Sequence, residues 1–498
     1  MENGLNKKYG LLTAICMVVG IVVGSGVFFK AQTILQKTEG NMVMGIWAWL
    51  IGGAIMLCCI AAFSIMATKY EKVNGIVDYA EATVGRKYGY VVGWFLTMIY
   101  YPTLTSVLAW LSARYTLVFL TSAFPDKITL VIPAAEGGCV IGPECMALSV
   151  FFLCAAYATN ALSPKIAGHF QVATTIIKLI PLLLMAVVGI IVGLLSDQGL
   201  LLENMANPGA ETTGNPLFGA IVATAFAYEG WIIATSINAE LKDAKRNLPI
   251  ALIAGGIIIV AIYLFYYIGV AGGATVEDLM HDGATTAYLN IFGGAFGNIL
   301  NLFVAISCMG TLNGLMLGCT RGIYAVATRG EGPHPEMFRQ VDKVTNMPNN
   351  ASILGLLLCG FWFLFFYGSN LAAFGWFGLF SFDSSELPIV TIYALYIPIY
   401  LMFMKKATDL SFTRRYLIPA LGLIGSVFMV CAAIYAHGIQ PYLAAKASGG
   451  FACPIVFYLI FFAVVLVWGL AHYKNRQAGA RTPQASVVSA PEAGQKCT

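Results

Sequence analysis

Twelve apolar runs, most of them close to the ~20 residues that a helix needs to cross a bilayer, limit what this chain can fold into. They occupy roughly residues 11–35, 43–66, 91–120, 146–162, 166–195, 217–239, 250–273, 296–327, 353–367, 387–404, 417–436 and 454–471. Lipid satisfies no backbone polar group, so such spans are helices or parts of a closed barrel. A barrel would show short alternating strands, which these continuous runs exclude. The expectation is an all-α polytopic membrane protein of 12 transmembrane helices. Composition agrees: the 498 residues are 59% apolar and only 10% charged, with mean hydropathy +0.78. A soluble protein of this size needs far more charge on its surface.

Residues 1–10 are polar, and the run that follows is too long for the apolar core of a cleavable signal peptide. With this segment in the cytoplasm, held by Lys7 and Lys8, 22 of the 28 Lys and Arg residues fall on the cytoplasmic side. Lys30, Lys37, Arg114, Lys127 and Lys446 fall outside or near outer ends, and Lys178 is left within the membrane. Both termini are therefore expected in the cytoplasm of a cell-membrane protein. The same bias accounts for the net charge of +4, so the bilayer suffices as a partner and no nucleic acid is called for. The tail 474–498, rich in Ala, Pro, Ser and Gln, is expected to be disordered.

The spans divide into five (11–195), five more (217–404) and a final pair (417–471). Five is odd, so the second set starts from the opposite side, as in an inverted repeat. The first span of each set is interrupted near its middle. Span 1 holds Gly20 and then Gly24-Ser25-Gly26; span 6 holds Phe226-Ala227-Tyr228-Glu229-Gly230-Trp231. Each Gly in a helix costs about 1 kcal/mol relative to Ala. Taken alone, Gly20 and Gly24 suit a small-residue packing face. Two breaks at matching depth instead suit a zwitterion: half-helix N-termini face a carboxylate, and half-helix C-termini face an ammonium.

Two charges sit where hydrocarbon disfavours them. Lys178 lies 12 residues into span 5, about 18 Å along the helix, too deep to snorkel easily. It reads as a lysine bound to carbonyls of a neighbouring helix, or as a group that replaces a bound cation or carries a proton. Glu229 occupies the span 6 break itself, where it could meet a substrate ammonium, hold a proton or line a vestibule. Arg114, Glu240 and Arg321 lie near span ends and are expected to snorkel. Cys139 and Cys145 share the loop after span 3, where a disulfide is possible but not fixed by spacing. The sequon Asn350-Ala351-Ser352 maps to the cytoplasmic side and should be silent. No channel-filter, H-E-x-x-H or G-x-S-x-G sequence is present, and the five His residues lack ligand spacing. Neither enzyme chemistry, a cofactor nor a metal site is expected.

At these residues the chain resembles the amino acid–polyamine–organocation superfamily, in particular its L-type amino acid transporter branch. The resemblance rests on GSGVFFK (24–30), Asn74-Gly75 with Tyr79, FAYEGW (226–231), Asn238–Lys242, Ile306–Gly310 and the stretch from Arg321-Gly322-Ile323-Tyr324 to Pro333, and it covers about residues 8–470. It implies a LeuT-type 5+5 inverted repeat with broken helices 1 and 6. It also implies sodium-independent exchange of small neutral L-amino acids, with a proton-coupled symporter or an amine transporter as alternatives. By position, the amides of Gly24, Ser25 and Gly26 would bind the α-carboxylate. Groups around Phe226, Ala227, Tyr228, Glu229 and Gly230 would bind the amino end, with Phe226 as an aromatic gate. Lys178 would take the place of sodium, tying the span 1 break to span 8 near Ser307. An acid at Glu229 departs from many members of the branch. The resemblance to bacterial members implies a chain that works without an obligatory partner subunit.

Overall fold

A computed structural model describes residues 10–24, 26–70, 75–125, 127–128, 130, 142–162, 164–196, 200–210, 215–234, 241–342, 347–371 and 375–473. Ser25, Cys139, Glu240 and the tail 474–498 lie outside the described residues. The described residues form helices joined by turns and loops. Among the described residues ten helices are long and apolar enough to cross a membrane, and the remaining two spans are interrupted ones.

Span 1 is α1a (Leu11–Val22) and α1b (Gly26–Lys37), and span 6 is α6a (Pro216–Ala227) and α6b (Trp231–Ala234). The continuous helices are α2 (Met42–Lys69), α3 (Arg86–Ala123), α4 (Pro143–Leu162), α5 (Pro164–Leu184, continuing to Leu195), α7 (Ala244–Ala271), α8 (Gly294–Thr328), α9 (Asn349–Leu371), α10 (Leu387–Lys406), α11 (Thr413–Ala447) and α12 (Pro454–Ala471). Span 9, which hydropathy limits to 353–367, gains a turn at each end. Span 11, read as 417–436, runs on through a π turn at Tyr435–Ile439 that contains His437. Short helices at Ile76–Thr83, Leu200–Ala206, Val276–Asp282 and Ala284–Phe292, which hydropathy does not mark, fold over the ends of the bundle.

Local chemistry fixes the helix starts. Asn41 Oδ1 accepts from the Met44 amide at 2.8 Å and caps α2. Asn215 caps α6a in the same manner, ahead of Pro216, whose missing N–H costs nothing at a first helical position. Packing between helices relies on small residues, as expected where lipid removes the hydrophobic drive for association. A Cβ on Gly52 of α2 would lie 2.0 Å from Thr224 Oγ1 of α6a, and one on Gly269 of α7 would lie 2.1 Å from the Met185 carbonyl of the α5 π turn. Large apolar side chains such as Leu195, Phe151 and Val467 point outward, as a lipid-facing surface requires.

Candidate functional site: two helix breaks in contact

The two interruptions meet at the centre of the bundle. Gly26, the first residue of α1b, packs so tightly on the α6 break that a Cβ there would lie 2.7 Å from Ala227 Cα and 3.2 Å from the Phe226 carbonyl. Tyr263 of α7 joins the breaks chemically: its hydroxyl lies 3.0 Å from both the Val22 and the Ala227 carbonyls, at the C-terminal ends of α1a and α6a. Those are carbonyls that a helix end leaves without intrahelical partners. The N-termini of α1b and α6b leave the complementary set of amides. One small volume therefore presents both donors and acceptors from unwound backbone.

Glycines on α1 set how closely its neighbours approach. A Cβ on Gly20 would meet Thr175 of α5 at 2.7 Å, and one on Gly24 would meet Thr311 Oγ1 of α8 at 2.9 Å. Lys178, buried at 3% exposure, donates to the Gly20 carbonyl near the end of α1a. This is the carbonyl-bound arrangement weighed from sequence. No hydrogen bond joins Lys178 to Ser307, which is buried on α8 with its hydroxyl unpaired among the described residues.

Phe226 is buried and packs edge-on against Phe29 of α1b, with ring centroids 6.1 Å apart. Tyr228 turns away from the break: its hydroxyl donates to the Trp49 carbonyl of α2 at 3.0 Å. Gly230 takes φ +102°, a left-handed turn that only Gly adopts without strain. Glu229 is 8% exposed and has no ion-pair partner among the described residues; the Tyr100 hydroxyl and the Gly230 amide face its carboxylate. Next to the α6 break, Phe63 of α2 gathers Tyr79, Trp231, Tyr396 and Tyr400 within 6 Å. The Tyr396 hydroxyl is buried without a hydrogen-bond partner among the described residues.

Two ends of the bundle differ. At one, Glu386 is fully buried before α10 and binds three cationic or basic groups: Lys30 at 2.7 Å, Lys37 at 3.0 Å and His437 Nε2 at 3.1 Å. Lys30 also sits 5.3 Å from the Phe226 ring centroid, close enough for a cation–π contact. The sequence reading left Lys30 near an outer end, yet it is 1% exposed, because it meets Glu386 just before α10. Arg114 likewise does not snorkel. It is 3% exposed and donates to Gln32 Oε1 at 2.8 Å, while Gln32 donates to the Met280 and His281 carbonyls. Sequence spacing gives no sign of these pairings.

At the opposite end, Arg329 binds Asp78 at 2.6 Å and Glu81 at 2.9 Å, and Arg86 binds Glu331 at 2.7 Å. A cavity of about 390 Å³ lies here, lined by residues that include Thr97, Tyr101, Ile232, Gly318, Arg321 and Glu331.

A bundle of membrane-spanning helices with two broken spans in contact at its centre defines a membrane carrier rather than an enzyme. A sequence profile of the amino acid permease family matches residues 9–445, and the chain belongs to that family. It is 28% identical over 441 residues to the serine/threonine exchanger SteT of Bacillus subtilis (strain 168), covering 86% of this chain and 91% of that protein. It is 25% identical over 363 residues to the Asc-type amino acid transporter 1 of Homo sapiens, covering 71% and 64% respectively. The large neutral amino acids transporter small subunit 2 of Mus musculus is 26% identical over 352 residues, covering 69% of this chain and 62% of that protein.

Proposed function

We propose that this permease is a sodium-independent exchanger of small neutral L-amino acids, of the serine, threonine and alanine type, that works by alternating access around the paired breaks. The observation that carries the reading is the contact of Gly26 with Ala227, bridged by Tyr263. It gathers unwound backbone amides and carbonyls where one zwitterion needs both. Gly24, Ser25 and Gly26 take the carboxylate, and the backbone at Phe226, Ala227, Tyr228, Glu229 and Gly230 takes the ammonium. Lys178 holds α1a through Gly20 and supplies the positive charge that a sodium ion would otherwise bring.

The two sets of five helices form an inverted 5+5 repeat in this reading, each set opening with its broken helix. The charge bias supports a cytoplasmic Arg329 end, cytoplasmic termini and an outward Glu386 end. The chain acts in the cell membrane without an obligatory partner subunit. The Glu229 carboxylate, buried without an ion-pair partner among the described residues, favours a second reading, in which a proton or a cationic side chain is carried there.

Uptake of labelled amino acids into proteoliposomes of the purified chain, without sodium, tests these readings. Uptake that requires internal amino acid supports exchange by the chain alone. Uptake into empty vesicles driven by a proton gradient refutes obligatory exchange and favours the second reading. Dependence on sodium refutes the role given to Lys178.

A further inference from the structure

The cavity at the Arg329 end contains charges of two kinds. Arg329 is held by Asp78 and Glu81, and Glu331 is held by Arg86, so these groups are neutralised in pairs at the rim. Arg321 differs. It is exposed, it lines the cavity, and its one recorded contact is with the Met347 sulfur at 4.0 Å. Among the described residues no carboxylate lies within ion-pair distance of it. Beside it, Gly318 and Gly322 of α8 let Tyr101 and Thr97 of α3 pack close, and Gly314 also lines the cavity.

Position matters as much as charge. Thr311, packed on Gly24, marks the depth of the breaks on α8. Arg321 lies ten residues further along the same helix, about 15 Å at 1.5 Å per residue. Ile232 of α6b, just past the α6 break, and Tyr101 of α3 line the same cavity. A cavity of about 390 Å³ has room for an amino acid with its hydration. A guanidinium with free donors in such a space matches the fork geometry of a carboxylate.

We propose that Arg321 makes this cavity a second, transient amino acid site, which docks the substrate α-carboxylate on the cytoplasmic side of the central breaks. The inference rests on the transport reading above and assigns a location for the substrate outside the breaks. Arg321 acts here as a docking group: it raises local substrate concentration on one face of the membrane and leaves the central site unchanged.

The test compares right-side-out with inside-out membrane vesicles from cells making the full chain, using labelled serine and alanine. An exposed charge pair contributes modestly, so Arg321→Gln should raise the half-saturating concentration on the cytoplasmic face about two- to five-fold. The value on the outer face should stay unchanged. Arg321→Lys keeps the charge but loses the fork geometry, so on the cytoplasmic face it should fall between wild type and Arg321→Gln, with the outer face unchanged. Equal changes on the two faces, no change on either, or an Arg321→Lys protein as impaired as Arg321→Gln would each overturn the docking role. If Arg321→Gln fails to reach the membrane, the Arg321→Lys comparison decides alone. A wild type that moves no amino acid in either vesicle overturns the transport reading itself, an outcome distinct from the loss of one-sided asymmetry.

Discussion

Glu386 offers the sharpest test of how its end of the bundle is held together. Its carboxylate is fully buried and faces Lys30 at 1% and Lys37 at 28% side-chain exposure. Glu386→Gln keeps the shape and a hydrogen-bond acceptor but leaves Lys30 buried without a counter-charge. Breaking a buried pair by removing one partner costs about 3–5 kcal/mol. Lys37 can reach water and is screened, so the lower end, about 3 kcal/mol, applies. Swinging α1b away from α10 would rehydrate Lys30, so the cost falls on the closed arrangement. At about 1.4 kcal/mol per factor of ten, opening becomes roughly 150-fold more populated. Hydrogen exchange of the purified full chain reads this directly: amides of α1b should lose protection by about that factor. The double variant Lys30→Met/Glu386→Gln removes both buried charges and should recover most of the protection. Wild-type protection in the single variant, or equal loss in the double, would refute the argument.

Other perturbations probe the centre. Lys178→Ala removes the donor to the Gly20 carbonyl and should abolish exchange while the protein still reaches the membrane; wild-type flux would remove the role given to this lysine. Tyr263→Phe leaves the Val22 and Ala227 carbonyls without their shared donor and should lower stability by about 1–3 kcal/mol, read as a fall in Tm, with weaker substrate binding. Gly26→Ala drives a Cβ into the Ala227 backbone and should eliminate transport, whereas Gly360→Ala, where a Cβ meets nothing within 4 Å, should be silent in the same uptake assay. Glu229→Gln should change the pH profile or the selectivity of uptake; identical profiles would exclude proton or cation carriage at that residue.

Hydropathy alone settled the helical membrane class, because a span must be long, apolar and continuous whatever its neighbours are. The breaks were legible for the same local reason: glycines weaken a helix where they stand, and α1 and α6 part within three residues of Gly24 and Glu229. Lys178 stood out because hydrocarbon makes a mid-span charge costly, but its partner Gly20, 158 residues away, did not. Partners depend on where helices cross, and no local period records that. Lys30 and Glu386 are 356 residues apart, so a lysine near a span end could not be told from a snorkelling one until α1b and α10 were packed together. Sequence thus set what each segment is, through its own free energy in lipid. Tertiary structure decided which charges are paired and which, like Arg321 and Glu229, are left over, because pairing is a property of the space between segments.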